Sequence, residues 1–300
     1  MYRGFKVVAL VPCNGNTRYL RIITEYLRKE TIFDEIRIWL TDGKPCDNLD
    51  FFESLRNAKD AKFNLVSAPP EHAWTRLFYH NCCDPGTLYL KIDSDVVYVH
   101  KDAIKRLLDC RIKYRHPFVI SANVVNNGLC SYLHWRNGIF TNPKVQDLHP
   151  DAWLWVKKGV NEELWRDATD AEFRTMVYAS NNYTIYSPEF AIFIHNKFLY
   201  AAENDQVETF FFPDVTLANY EHWSVNTYTF FGHDFAMFNG EHGTIGDEIC
   251  FGQIKPRELG RPVEICGNSL TVHHAFGLQR EGLMKDPTIL ERYEKLAGIR

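Results

Sequence analysis

Apolar and polar residues in the first half of the chain follow a pattern typical of strands alternating with helices. Residues 5–11 form a run rich in β-branched side chains, as expected of a strand buried on both faces. A polar turn at 14–18 follows, and apolar residues then recur at helical spacing between Tyr19 and Leu27. The same alternation predicts strands at 36–40, 63–66, 88–92 and 118–125 and helices at 74–81 and 101–108. We therefore expect an α/β fold with a mostly parallel central sheet flanked by helices.

The second half of the chain is less regular. Residues 141–190 hold Trp153, Trp155 and Trp165 among scattered charges, and no element is predicted there. Residues 223–276 are rich in glycine, histidine and carboxylates, and a final helix is predicted at 287–296. Because repeats and low-complexity segments are lacking, one continuous sheet in a single domain is the simplest expectation.

Composition narrows the class of protein. Of the 300 residues, 45% are hydrophobic and 24% are charged, so the chain can bury a core without disulfides. A net charge of −4 with no dense Lys/Arg block argues against nucleic-acid binding. No apolar run approaches the ~18–20 residues of a transmembrane helix, and the apolar N-terminus is interpreted as a buried strand rather than a signal peptide. The eight cysteines include no C-x-x-C pair, which favours reduced thiols and a cytoplasmic protein.

The sharpest motif is Asp93-Ser94-Asp95, which directly follows the strand predicted at 88–92. Two carboxylates one residue apart on an extended backbone point the same way, and a cation between them relieves their repulsion. Mg²⁺ and Mn²⁺ prefer such oxygen ligands and neutralise the charge of a departing nucleoside diphosphate. A simple turn with a helix cap is the alternative. The apolar pair Val96-Val97, where a solvated turn would be polar, favours the metal site.

Three polar loops follow predicted strands and therefore mark the ligand-binding edge of the sheet. In parallel α/β sheets, ligands bind beyond the carboxyl ends of the strands. That rule points to the loops at 14–18, at Asp42 and at 93–95.

Asp93-Ser94-Asp95 resembles the Asp-x-Asp motif of GT-A-fold, nucleotide-sugar-dependent glycosyltransferases. The wider segment 91–100 is similar to a Lys-Ile-Asp-Asp-Asp-type string of viral, microbial and algal members. The resemblance implies a single GT-A-like (Rossmann-like) domain, with a nucleotide-sugar-binding half at 1–127, an acceptor and catalytic half at 128–280 and a C-terminal helix at 281–300. It also implies transfer of a hexose or pentose from a nucleoside-diphosphate sugar, with UDP favoured, to a hydroxyl of a glycan or glycoprotein acceptor.

The resemblance also implies which residues contact the sugar donor, and these are assigned by the order of the elements along the chain. They fall on the loop after the first strand, the end of the second strand and the metal motif. Arg76 and Arg18 are candidate phosphate or nucleoside contacts, with ordinary surface arginines as the alternative. The expected donor contacts are Pro12, Asn14, Asn16, Arg18, Asp42, Arg76, Asp93, Ser94 and Asp95.

An acidic pair, Asp247-Glu248, lies where inverting members of this group carry their general base. A base must lie within hydrogen-bond reach of the acceptor hydroxyl whose proton it takes. Glu248 is the expected base, because its spacing in the chain matches the position of the base in this group. Asp247 is the alternative, because the usual order of the pair is Glu-Asp whereas this chain has Asp-Glu. The alternative is the first turn of an exposed helix, where acids are favoured by the helix dipole.

Two adjacent histidines, His273 and His274, resemble the C-terminal histidine that completes the metal shell in this group. His273 is the expected ligand and His274 the alternative, and a buried structural histidine is the other interpretation of each. An imidazole ligand suits Mn²⁺ better than Mg²⁺, so Mn²⁺ is the expected ion.

The segment 230–235 resembles the glycine-containing stretch that lines the acceptor side of this fold. It supplies His233 and Asp234 as expected acceptor contacts. Trp223 and Trp153 could stack on a sugar face, although a core position is the commoner place for tryptophan.

Three other functions fit the sequence less well. A nucleotidyltransferase would share the acidic metal site but carry a glycine-rich, basic signature after its first strand, where only Gly15 and Arg18 occur. A phosphohydrolase would need an aspartate nucleophile after that strand, and none follows Pro12 directly. A non-catalytic, metal-dependent sugar-binding protein would not need the acidic pair at 247–248.

Overall fold

The computed structural model describes residues 1–13, 16–40, 49–57, 62–67, 78–139, 187–243 and 246–299. One sheet contains all nine strands of this part of the chain. The strands are β1 (Lys6–Cys13), β2 (Glu35–Leu40), β3 (Phe63–Ser67), β4 (Thr87–Ile92), β5 (Val96–Val99), β6 (Ile120–Val125), β7 (Val215–Leu217), β8 (Thr227–Phe231) and β9 (Val263–His273).

Ten α-helices, in addition to the helical residues 78–80, surround the sheet in the described part of the chain. They are α1 (Thr17–Lys29), α2 (Leu49–Asn57), α3 (Ala103–Lys113), α4 (Gly128–Arg136), α5 (Pro188–Glu203), α6 (Gly232–Ala236), α7 (Asp247–Ile249), α8 (Lys255–Leu259), α9 (Gln279–Met284) and α10 (Pro287–Ala297). A π-helical turn, Cys250–Ile254, joins α7 to α8, and a 3₁₀ turn, Val207–Phe210, follows α5.

The strand order confirms the predicted α/β class with a mostly parallel sheet. The order is β3-β2-β1-β4-β8-β6-β9-β5, and β7 pairs with β9. Strands β3, β2, β1 and β4 are mutually parallel, as are β6 and β9. Strand β8 lies antiparallel between β4 and β6, so six of the nine described strands run in one direction. Strands from both halves of the chain therefore share a single sheet.

The sequence pattern located most strands but missed β5, β7 and β8. Strand β8 was not predicted because five consecutive buried residues, TYTFF, show no alternation that distinguishes a strand from a buried helix. Residues 96–99 form β5, which pairs antiparallel with β9, whereas the sequence shows only the apolar pair Val96-Val97 there. Residues 263–273 form β9, a single strand of eleven residues. Of the helix predicted at 74–81, residues 74–77 lie outside the described residues and 78–80 are helical.

The helix bounds differ by a few residues from those predicted, and capping interactions mark two of the ends. Helix α1 begins after Asn16, whose side chain accepts hydrogen bonds from the backbone N–H groups of Arg18 and Tyr19. The helix predicted at 101–108 begins at Ala103 and continues to Lys113. The final helix predicted at 287–296 is confirmed as α10, which ends at Gly298 in the left-handed conformation, and the short helix α9 precedes it.

Two buried apolar clusters hold the helices to the sheet. The larger is built on β1, β4 and β6 with α1 and α3. The smaller joins α1, α5 and α10 to β5 and β9 through side chains that include Ile22, Val97, Phe198 and Tyr293. Burying each large apolar side chain contributes about 1.5–3 kcal/mol before entropy is counted, so these clusters fix the strands that support the site. Among the described residues, no helix has both the length and the apolar character needed to cross a bilayer.

Strand direction brings five chain segments to one edge of the sheet. Strands β4, β6 and β9 run toward this edge, where Asp93 follows β4, Asn126 follows β6 and His273 ends β9. Strands β5 and β8 run the opposite way and begin there, after Asp95 and Asn226. This is the edge at which parallel α/β sheets bind ligands.

Candidate metal centre and active site

Asp93, Asp95 and His273 form the one cluster of potential metal ligands found among the described residues. One ligand atom from each side chain lies within 4.8 Å of the others. The pairing of Val96 with His273 explains the cluster, because it places Asp95 beside the end of β9 while Asp93 ends β4. The two carboxylates predicted from sequence therefore converge, and His273 joins them as expected.

Each oxygen of the two carboxylates is contacted by a cationic or N–H group. Lys91 Nζ lies 2.5 Å from Asp93 Oδ1, and Asn226 Nδ2 donates to Asp93 Oδ2 at 3.2 Å. His273 Nε2 lies 3.3 Å from Asp95 Oδ1, and Arg280 Nη2 lies 3.2 Å from Asp95 Oδ2. The protein thus surrounds this carboxylate pair with the compensating charge that its repulsion demands.

The two aspartates differ in how strongly they hold a proton. Burial opposes ionisation of Asp95, but the adjacent His273 and Arg280 outweigh it and lower the pKa of Asp95 to about 2. Burial raises the pKa of Asp93, and the charge of Lys91 offsets only part of that rise. Asp95 is therefore the more firmly ionised ligand. Burial opposes protonation of His273, but Asp95 and Asp93 together outweigh it and raise the pKa of His273.

The donor set fits a divalent cation. Two carboxylates and one imidazole are ligands that Mn²⁺ accepts, and Mg²⁺ would rely mainly on the oxygens. Arg280 is the displaceable counter-charge, because its side chain is 43% exposed whereas that of Lys91 is 3% exposed. The residues that would hold the ion are Asp93, Asp95 and His273.

The acidic pair at 247–248 is arranged asymmetrically. Asp247 Oδ2 accepts a hydrogen bond from Tyr79 Oη at 2.8 Å, and Asp247 Oδ1 accepts one from the Glu248 N–H at 3.1 Å. The Glu248 carboxylate makes no hydrogen bond or ion pair with any described residue. Burial, and then the charge of Asp247, raises the pKa of Glu248, while Lys91 lowers it. Tyr79 also bonds to Tyr228, which lies opposite Lys91 in the sheet, so the acidic pair lies near the Lys91 side of the metal cluster.

His274 faces away from the cluster. Its Nδ1 lies 2.9 Å from Tyr19 Oη, and its backbone N–H donates to the Asp95 carbonyl at 2.9 Å. Its carbonyl accepts hydrogen bonds from Asn126 and His195. The structure therefore brings His273 to the carboxylates and uses His274 to join β9 to its neighbours.

The predicted donor contacts fall into three groups. Asn14, Asp42 and Arg76 lie outside the described residues. Pro12 is buried near the end of β1, Asn16 caps α1, and Ser94 is buried between the two aspartates. Arg18 forms a two-pronged ion pair with Glu294 of α10 at 2.7 and 2.9 Å. A phosphate contact by Arg18 would require that pair to open.

The predicted acceptor contacts do not meet at this site. Trp223 is 1% exposed and its ring packs on Tyr228, so no ring face is open to a sugar. Asp234 is 1% exposed and paired with Arg111 at 2.9 Å and Arg261 at 2.5 Å. Because β8 begins at the metal edge and runs antiparallel, His233 and Asp234 lie at the opposite edge, about 17 Å away along five residues of strand. The sequence resemblance suggested these contacts, but it gives no information on the direction in which β8 runs.

Sequence reasoning missed several residues of the site. Lys91 carried a local signal, since it is a cation in an otherwise apolar strand and shares a face with Asp93. It also donates to the carbonyl of Val225, and its ammonium lies 5.8 Å from the ring centre of Tyr228. Asn226 and Arg280 come from distant parts of the chain and carry no comparable signal. The fold and the site together define an α/β protein with a candidate divalent-metal centre at its ligand-binding edge.

Comparison with known proteins gives no sequence relative. No protein family matches the chain, and no curated protein matches it. Matching solved structures include S. aureus TarS 1-349 in complex with UDP-GlcNAc, with 19% identity over 39% of this chain and 34% of that chain and a TM-score of 0.31. Another is M. tuberculosis glucosyl-3-phosphoglycerate synthase in complex with Mn²⁺, UDP and glucosyl-3-phosphoglycerate, with 14% identity, coverages of 40% and 44% and a TM-score of 0.32.

A third match covers nearly all of both chains. It is 4-diphosphocytidyl-2C-methyl-D-erythritol synthase from Anaerococcus prevotii, with 11% identity over 96% of this chain and 99% of that chain and a TM-score of 0.45. The aligned part of this chain spans about a third of TarS 1-349 and under half of the mycobacterial synthase. Because every one of these TM-scores is below 0.5, the likenesses carry no argument about the reaction.

Proposed function

We propose that this chain is a divalent-metal-dependent glycosyltransferase. It transfers a sugar from a nucleoside-diphosphate sugar, with UDP-sugars favoured, to a hydroxyl of a glycan or glycoprotein. The observation that carries the proposal is the convergence of Asp93, Asp95 and His273 within 4.8 Å at the edge of the sheet where such folds bind ligands.

The chain's own charges suit a diphosphate leaving group. A bound Mn²⁺ or Mg²⁺ supplies charge neutralisation for the diphosphate. Arg280 is the cation best placed to bind the diphosphate. Its side chain is part-exposed, and Asp95 is its one partner among the described carboxylates. Lys91 is buried and stays with Asp93, so it balances the ligand carboxylates rather than the substrate.

Glu248 supports the acid–base half of the reaction. A free carboxylate with a raised pKa, close to the cluster, suits a general base. Glu248 accepts the proton of the acceptor hydroxyl while that oxygen bonds to the anomeric carbon and the bond from this carbon to the diphosphate oxygen breaks. Attack from the side opposite the leaving group inverts the anomeric centre. Asp247 is the weaker candidate because both of its oxygens already accept hydrogen bonds.

The donor and acceptor contacts complete the proposal. Asn14, Asp42 and Arg76 remain the proposed nucleoside and phosphate contacts, with Pro12, Asn16 and Arg18 at the neighbouring loop. The expected acceptor approaches from the side on which Glu248 lies, and His233 and Asp234 take no part in it.

Calorimetry with a nucleotide screen tests this function. UDP, GDP and inorganic pyrophosphate are titrated with and without Mn²⁺, and UDP-sugars are screened for Mn²⁺-dependent hydrolysis or transfer. Asp95→Asn should abolish metal-dependent UDP binding, whereas Asp102→Asn, at the far end of β5, should leave it intact. UDP affinity unchanged by Asp95→Asn contradicts the proposal. Release of pyrophosphate from a nucleoside triphosphate and a sugar phosphate would identify a nucleotidyltransferase instead.

A further inference from the structure

A chain of hydrogen bonds from two buried tyrosines ends on Asp247. Tyr228 Oη donates to Tyr79 Oη at 2.7 Å, and Tyr79 Oη donates to Asp247 Oδ2 at 2.8 Å. Both tyrosines are almost fully buried, at 0% and 1% exposure. Burial raises the pKa of each phenol well above its ordinary value, so both remain protonated donors. The direction of the chain follows, because each phenol donates its proton and the Asp247 carboxylate accepts at the end.

This chain connects the metal-binding strands to the acidic pair. Tyr228 lies on β8 directly opposite Lys91 of β4, the residue that contacts Asp93. Tyr79 belongs to the helical residues 78–80 and packs its ring on Phe251, one turn beyond Glu248. Asp247 in turn accepts the N–H of Glu248, a donor that the first turn of α7 cannot satisfy internally. The tyrosines therefore fix the start of α7 relative to the cluster.

We propose that Tyr79 and Tyr228 are positioning residues that, through Asp247, hold the first turn of α7 so that Glu248 faces the Asp93–Asp95–His273 cluster. The two acidic residues therefore have different roles. Asp247 anchors the turn, and Glu248 is free to accept a proton. This inference rests on the proposed function for the role of Glu248, but the anchoring itself is a property of the fold.

Three tyrosine-to-phenylalanine variants test the inference. Tyr79→Phe removes the donor to Asp247, and Tyr228→Phe removes only the donor to Tyr79, so its effect should be smaller. Tyr89→Phe is the matched control, because Tyr89 is equally buried, lies on β4 and donates at 3.0 Å to Asp84, away from the cluster. We expect Tyr79→Phe to lower kcat about tenfold with an unchanged KM for the donor, since the metal ligands are untouched.

A double variant separates positioning from general destabilisation. In a Glu248→Gln background, Tyr79→Phe should cause no further loss of kcat, because its effect passes through Glu248. A loss of the same size in both backgrounds would overturn the inference, as would a kcat for Tyr79→Phe equal to that of Tyr89→Phe.

Amide hydrogen exchange gives a readout that does not depend on activity. Exchange at the Glu248 N–H should be about tenfold faster in Tyr79→Phe than in wild type, because a loosened Asp247 holds that N–H less often. It should be unchanged in Tyr89→Phe. Faster exchange in a protein without sugar-transfer activity would refute the proposed function and keep the anchoring. Unchanged exchange in Tyr79→Phe would refute the anchoring whatever the activity.

Discussion

Lys91 is the buried counter-charge of the candidate metal centre, and its removal shows how the two aspartates are balanced. Its ammonium contacts Asp93 and the carbonyl of Val225, and its side chain is 3% exposed. Removing one partner of a buried pair leaves the other charge uncompensated. We expect Lys91→Met to lower the free energy of unfolding by about 2–3 kcal/mol, less than for a fully buried pair because Asp93 is partly exposed.

Urea unfolding with and without Mn²⁺ measures this effect. A divalent ion replaces the missing charge, so Mn²⁺ should stabilise Lys91→Met more than wild type. Lys105→Met is the matched control, because Lys105 is 63% exposed and its pair with Asp109 is 3.9 Å long. If Mn²⁺ stabilised Lys91→Met and wild type equally, Lys91 would not be the group that compensates the negative charge of the metal ligands.

Glu248 determines the expected pH dependence of the reaction. Burial, followed by the charge of Asp247, raises its pKa above the ordinary 4.5. A general base acts in its ionised form, so kcat/KM should fall as the pH decreases through this raised pKa. Glu248→Gln should lower kcat by about 10²–10⁴-fold and remove the acid limb of the profile.

The control for this profile is Glu258→Gln, since Glu258 is 54% exposed and, among the described residues, pairs only with Lys255 on its own helix. That variant should keep both the rate and the acid limb. An acid limb that survives in Glu248→Gln would assign the proton acceptor to another group.

At the scale of elements, His195 joins three of them behind the metal centre. It lies on α5, its Nε2 is 2.7 Å from the carbonyl of His274 after β9, and its Nδ1 is 2.8 Å from Tyr293 Oη on α10. A carbonyl only accepts, so Nε2 carries the proton and Nδ1 accepts from the phenol. Burial lowers the pKa of His195 to about 4, which keeps the ring neutral.

Tyr293→Phe should therefore cost stability. It leaves Nδ1 of His195 buried without its donor, and we expect a loss of about 1–3 kcal/mol in the free energy of unfolding. Tyr26→Phe is the control, because the buried Tyr26 hydroxyl has no hydrogen-bond partner among the described residues and its removal should be neutral or stabilising. Urea unfolding compares the two variants, and equal costs would contradict the hydrogen-bond argument.

The elements also show what the sequence could and could not predict. Strands β1 and β4 and the Asp93–Asp95 motif are local patterns, since a buried apolar run and two carboxylates one residue apart are visible without the fold. Strand β8 is different, because it pairs with β4 across more than 130 residues and only the completed sheet makes its place between β4 and β6 favourable. The partners of the motif share this difficulty, since Arg280 and Tyr79 reach the site only through long-range packing.

At the scale of the whole molecule, ligands should stabilise the fold through the metal edge, because residues from β4, β5 and β9 meet there. At about 100 times its Kd, UDP with Mn²⁺ adds roughly 2.7 kcal/mol to the free energy of unfolding, provided that only the folded chain binds it. For a chain of this length we expect Tm to rise by about 4–8 °C. Differential scanning fluorimetry measures the shift, with Asp102→Asn as the matched control for Asp95→Asn. The rise should vanish in Asp95→Asn and with EDTA; a rise retained in both would place nucleotide binding elsewhere on the protein.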